Sequence, residues 1–202
     1  SDELRNAFSQ PGRVEVPFLA QPPRHYLGVA WYQRSVDIPD AWHGRRTQLF
    51  LERPRWESTV WVDDRQVGSM RSLVSPHGFD LGVLEPGTHR LTIRLDNRMI
   101  VTDPRGNNGH MPDAHAVSDA LGATWNGIAG SIELRSTPQV WLSDVQAFPD
   151  VSRKSVRIAV KIGNLSGSVG RGKLICGGSG RVETEVTWLV NGGEAEIEVP
   201  LA

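Results

Sequence analysis

Glu52 and Glu57 stand on either side of Trp56. Hydrolysis of a glycosidic bond asks for two carboxyl groups flanking the scissile bond. An aromatic plate beside a carboxylate also suits the apolar face of a pyranose ring and its hydroxyls. The same residues suit a strand-edge ion cluster with Arg53 and Arg55, so the group leaves both readings open. Trp125-Asn126 repeats the pairing of an aromatic plane with a polar amide, and core packing is again the alternative for the tryptophan. His110 and His115 flank Asp113, but their spacing is not that of a zinc site, and ordinary loop histidines are the expectation. Asp103, Asn107, Asn108 and Asp113 could offer oxygens to calcium, yet lack the order of an EF-hand loop. No metal and no cofactor is therefore expected. Cys176 is the single cysteine, has no histidine near it in sequence, and excludes an intramolecular disulfide. No Gly-x-Ser-x-Gly elbow is present, so nucleophilic catalysis has no support. Asn164-Leu165-Ser166 is a glycosylation triplet, a pattern that often arises by chance.

The elements that must hold these residues read as strands. Leu91, Ile93 and Leu95 alternate with Thr92, Arg94 and Asp96. Ile132 and Leu134, Val156 to Ile162, and Ile197 with Val199 alternate in the same way. A period of two marks strands with one face on a core and one in water, and favours antiparallel sheets. Val29–Ile38, Thr47–Glu52 and Ser58–Val62 are less regular but rich in Val, Thr, Trp and Tyr. Reversals are expected at Pro39-Asp40, His43-Gly44, Asp63-Asp64, Pro86-Gly87 and Asn191-Gly192-Gly193. With 21 Gly, 13 Pro and 7 Trp in 202 residues, the composition argues for many short strands and against a helical bundle. Twenty-two basic against 23 acidic residues leave a net charge of −1, so no basic field exists for nucleic acid. No apolar run approaches a membrane span.

From Asn97 to Thr124 the alternation stops. Asn97, Asp103, Asn107, Asn108, Asp113 and Asp119 crowd this stretch with His110, His115 and two prolines. So long a segment without pattern is usually functional or disordered. A second change falls at Ser136-Thr137-Pro138, beyond which aromatics thin and glycines cluster. The reading is a sandwich over 1–138 and a second, incomplete one over 139–202, with about five strands where an immunoglobulin-like sandwich has about seven.

Three stretches carry a family resemblance. Gly28-Val29-Ala30-Trp31-Tyr32-Gln33-Arg34 resembles the G-x-x-W-Y-R-R strand of glycoside hydrolase family 2. Glu57 to Gly68 resembles that family's V-W-V-N-G-x-x-V-G hairpin, and Trp125 to Leu134 its G-I-x-R-x-V-x-L strand. Pro86-Gly87 before Leu91–Asn97 is similar to its P-G-x-N-x-L-x-V-x-x-D-N pattern. The resemblance implies a galactose-binding-like jelly roll followed by part of an immunoglobulin-like domain. In that family a (β/α)8 barrel follows and holds both catalytic glutamates. A barrel takes roughly 250 residues and shows a strand–helix repeat that is absent here. What is implied is the non-catalytic front of a retaining exo-glycosidase, not a working enzyme.

Departures from the family pattern are specific. Asp63-Asp64 replaces Asn-Gly in the hairpin, a weaker turn signal. The acidic position six before the glycine of G-I is Leu121 here, with Asp119 two residues upstream as the substitute. Gly130-Ser131-Ile132 stands where R-x-V is usual. The candidate sugar contacts are Asp119, from the resemblance, with Trp125, Asn126 and Trp56 from the residue pattern, and the implied partners are carbohydrate and a barrel of the parent chain. The alternative is a self-sufficient carbohydrate-binding module. An unfinished sandwich edge would also permit homodimers. Periplasmic or secreted use is common among bacterial members, while the sequence itself leaves the compartment open.

Overall fold

The computed structural model describes residues 28–72, 74–98, 101–102, 108–109, 126–177 and 180–201. The described chain is an all-β sandwich protein. Its strands in order are β1 (Val29–Ile38), β2 (Arg46–Arg55), β3 (Glu57–Val62), β4 (Arg65–Arg71), β5 (His77–Val83), β6 (Gly87–Asp96) and β7 (Val101–Thr102). They continue with β8 (Asn108–Gly109), β9 (Gly127–Thr137), β10 (Val140–Asp150), β11 (Ser155–Asn164), β12 (Gly170–Gly177), β13 (Arg181–Trp188) and β14 (Gly193–Pro200). One 3-10 turn, Asp40–Trp42, makes the reversal after Pro39, whose carbonyl accepts from Trp42 N at 2.8 Å. The chain divides into two compact units.

The described residues of the first unit fall within 28–38, Gln48–Leu81 and Gly87–Arg135. Two sheets supply it, ordered β1-β6-β3-β4 and β5-β2-β9. The antiparallel register sets Ile93 opposite Val60 and Leu91 opposite Val62, so their side chains share one face. Those four are buried, as are Leu49, Leu51, Phe79 and Leu81 of the other sheet. Alternate residues thus bury one face of each sheet, as a sandwich requires. The opposite face of the first sheet carries Trp31, Gln33, Thr92, Arg94, Glu57, Thr59 and Trp61 by the same register.

Asp63-Asp64 makes the β3–β4 turn despite lacking glycine. Asp63 sits at φ 52°. Its Oδ1 accepts from Arg90 N at 2.8 Å and its Oδ2 bonds His89 Nδ1 at 2.8 Å. These bonds hold a left-handed conformation that a short polar side chain tolerates. Bonding to the Arg90 amide, then to His89, keeps the Asp63 carboxyl below the usual carboxylate range.

The second unit comprises Pro39–Thr47, Gly82–Pro86 and the described part of Ser136–Ala202. Arg45 Nε donates to Ser136 Oγ at 2.8 Å, and Gln139 Nε2 to the Gly44 carbonyl at 2.7 Å. The Arg46 guanidinium lies 4.0 Å over the Trp141 ring. Sheet β10-β11-β14 and the pair β12-β13 enclose a core of Val160, Ile162, Leu174, Val186 and Ile197. Five strands, β10 to β14, run between Val140 and Pro200, in agreement with the sequence pattern. Asn164 Nδ2 donates to the carbonyls of Ser168 and Leu189, both at 2.8 Å. Both hydrogens of that amide are spent, so a glycan on Asn164 would displace one of these bonds.

Candidate functional site

Four chain segments of the first unit meet at one end of its sheets: Gly28, Trp56, Asp96-Asn97 and Asn126. Asn97 is buried, and its Oδ1 accepts from Gly28 N at 2.9 Å. Asn126 Nδ2 donates to the Gly28 carbonyl at 3.0 Å. Trp56 N donates to the Asp96 carbonyl at 3.1 Å, and the Trp56 carbonyl accepts from Ser72 N at 3.3 Å. The Arg55–Trp56 peptide bond is cis. Glycine suits this crossing: Gly127 has φ +134°, and an added Cβ there would meet the Tyr32 hydroxyl at 3.5 Å. The stretch without alternation begins and ends here, between Asn97 and Asn126.

The carboxylates of the site are engaged rather than free. Glu57 binds Arg94 Nη1 at 3.1 Å and also pairs with Arg71 Nε. Asp96, itself buried, accepts from Arg94 Nη2 at 3.0 Å. It also takes Arg98 Nε at 2.9 Å, Arg98 Nη2 at 2.7 Å and Arg98 N at 3.1 Å. The two-pronged bond from Arg98 is the main cause holding the Asp96 carboxyl below its ordinary range.

Glu52 does something else. Its Oε2 accepts from Ser131 N at 2.8 Å, and Arg53 Nη2 lies 3.2 Å from its Oε1. The Ser131 amide is the main cause that lowers the Glu52 carboxyl. Gly130, at φ +81°, leaves the space this carboxylate fills, because a Cβ there would overlap it. The Gly130-Ser131 departure from the family motif therefore has a local partner in Glu52. Of the ion cluster read from the sequence, Glu52 pairs with Arg53, while Glu57 pairs with Arg71 and Arg94.

Of the four sequence-derived sugar contacts, Trp56 and Asn126 fall among the described residues. Both join the same end of the unit through Asp96-Asn97 and Gly28. Trp56 is half-buried and takes part through its backbone. Asn126 is half-buried, and its Oδ1 is buried without a hydrogen-bond partner. Such an atom can accept from a hydroxyl, and it is costly to leave dry and unpaired. Asp119 and Trp125 lie outside the described residues, as do His110, His115 and the side chains considered for calcium. Among the described residues, no group of three or more His, Cys, Asp or Glu could hold a metal ion. No helix there is long and apolar enough to cross a membrane. Sequence reasoning passed over Arg94, Arg98 and Asn97 as site residues. The Asp96-Asn97 pair at the end of an alternating strand was the available signal.

No family model matches the chain. Among curated proteins it is 25% identical over 142 residues to the β-glucuronidase of Paenibacillus borealis, covering 65% of this chain and 24% of that protein. The human β-glucuronidase is 26% identical over 163 residues, covering 70% of this chain and 25% of that protein. Among solved structures, Bacteroides uniformis β-glucuronidase aligns with a TM-score of 0.66 and 15% identity, over 86% of this chain and 21% of the other. A GH2 β-galacturonidase from Eisenbergiella tayi, bound to galacturonate, aligns with a TM-score of 0.61 and 20% identity, over 86% of this chain and 29% of the other. The structural likeness shows the fold, and the curated matches agree with the sequence motifs. Over the part that these relatives match, the chain is similar to the β-sandwich region of glycoside hydrolase family 2 proteins. It spans about a quarter of the length of the curated relatives.

Proposed function

We propose that this chain is the non-catalytic, sugar-side region of an exo-acting β-glycosidase, and that it shapes the substrate pocket of a catalytic barrel. The observation that carries the reading is the meeting of Gly28, Trp56, Asp96-Asn97 and Asn126 at the root of the segment between Asn97 and Asn126. That end combines an aromatic residue, an unpaired buried amide oxygen and a set of arginine-bound carboxylates. Carboxylates neutralised by arginine position neighbours and donate nothing to acid–base catalysis, which suits a supporting role. In this reading Asp119 and Trp125 approach the sugar from the segment itself, with Asn126 and Trp56 at its base. Residues 1–138 form the sugar-side domain, and 139–202 the beginning of a connecting immunoglobulin-like one. Carbohydrate and the barrel of the parent chain are its partners.

The test is hydrolysis of aryl β-glycosides by this chain joined to its downstream barrel. Deletion of 107–119 is expected to raise KM or abolish turnover with the fold retained by circular dichroism. Unchanged kinetics after that deletion would remove the pocket-shaping role. A glycosidase activity of the 202-residue chain alone would overturn its non-catalytic nature.

A further inference from the structure

The outer face of the β1-β6-β3-β4 sheet holds an aromatic pair that the site above does not use. Trp31 on β1 and Trp61 on β3 reach across β6, with ring centroids 5.5 Å apart and planes at 36°. Trp31 lies opposite Arg94 and Trp61 opposite Thr92, so both stand on the face away from the Leu91, Ile93 and Leu95 core. Trp31 is 62% exposed. A tryptophan left this open on a sheet edge forgoes most of the burial that its area could supply. Around the pair the face is polar. Gln33 Nε2 donates to Thr92 Oγ1 at 3.0 Å on one side. On the other, Thr59 bonds Ser69 at 2.8 Å, and Arg94 joins Glu57.

From this arrangement we infer a carbohydrate-binding platform, with Trp31 and Trp61 as the stacking planes. The composition of the face selects the occupant. A protein-docking surface shares the aromatic residues but keeps carboxylates out of its centre. Here the two indoles stand in a field of amide, hydroxyl, guanidinium and carboxylate groups. A pyranose ring matches that pattern, with apolar C–H groups on its faces and hydroxyls around its rim. A nucleobase would also stack, but Arg94 on this face is already held by Glu57 and Asp96, and a net charge of −1 gives no general attraction for a phosphate backbone. The platform goes beyond the pocket-shaping role and does not depend on it, since it needs no barrel and no part of the segment between Asn97 and Asn126.

The experiment is a tryptophan-fluorescence titration of the full chain with methyl β-glucuronide, methyl β-galactoside, cellohexaose and hexathymidylate. Saturable quenching by at least one glycan is expected, with Kd weakened about tenfold or more by Trp31→Ala and less by Trp31→Phe. Circular dichroism and Tm of both variants should match the parent, since Trp31 is exposed. Should Trp61→Ala fail to fold, the two Trp31 variants still decide. No saturable response to any glycan in the millimolar range would overturn the platform. So would glycan binding that survives Trp31→Ala unchanged, or hexathymidylate binding as tight as any glycan. None of these outcomes reads aryl-glycoside hydrolysis, so they leave the barrel experiment to stand or fall separately.

Discussion

His77 shows how a single buried group sets a pH response. It is fully buried on β5. Its Nε2 lies 3.3 Å from the Ser72 carbonyl and its Nδ1 2.5 Å from Ser58 Oγ. A carbonyl only accepts, so Nε2 carries the proton and Nδ1 receives the Ser58 hydroxyl hydrogen. The imidazole is thus neutral, and burial holds it below its ordinary value against the opposing pull of Ser72. The unfolded chain takes up a proton near pH 6.5 while the fold does not. Stability should therefore be full above about pH 6.5 and decline as pH falls below it. Urea unfolding at stepped pH checks this, and His77→Gln should flatten the decline between pH 6.5 and the acid range. A slope identical in both proteins would assign the effect elsewhere.

At the scale of elements, glycines and aromatic planes decide how strands pack. Gly163 on β11 lies against one side of the Trp141 ring, and Arg46 covers the ring at 4.0 Å. A Cβ on Gly163 would overlap the indole. The ring is confined, so Gly163→Ala should destabilise by about 1–3 kcal/mol, the usual cost of overpacking. Thermal unfolding measures it, and a variant as stable as the parent would mean that the ring yields freely. Alternation located β6, β9, β11 and β14, but it did not say which faces are covered. Ile132 follows the pattern on β9 and is nonetheless 54% exposed. Val145 on β10 faces Val160, a core residue, yet is 56% exposed. The core of that unit draws its buried residues from β11 to β14, while β10 adds the partly buried Val140.

For the whole molecule, the charge balance hides a specific arrangement. Asp96, Asp63, Asp150 and Glu52 are all held below their ordinary values, chiefly by hydrogen bonds from arginine groups or backbone amides. Each stays ionised in the fold at a pH where the unfolded chain is protonated. The stability they contribute is present above about pH 4.5 and is lost as pH falls below it. Acid unfolding should begin there and be brought to higher pH by Asp96→Asn, since that carboxylate anchors both Arg94 and Arg98. Fluorescence-monitored acid titration reads the midpoint. An unshifted midpoint would show that the Asp96 network adds nothing to the acid stability of the fold.

The amino-acid order alone determined the all-β class, the positions of about half of the strands and the family motifs. These rest on local rules: a period of two, turn residues, and short patterns that survive wherever the chain is placed. It also singled out Trp56 and Asn126, which the fold then joined through Gly28 and Asp96-Asn97. Only the tertiary structure decided the partners. Glu57 pairs with Arg71 and Arg94, because antiparallel register places those residues beside it. Trp31 and Trp61, thirty positions apart, touch for the same reason. Pairing across strands depends on register and on which face turns to solvent, and neither quantity is written in any short stretch of chain.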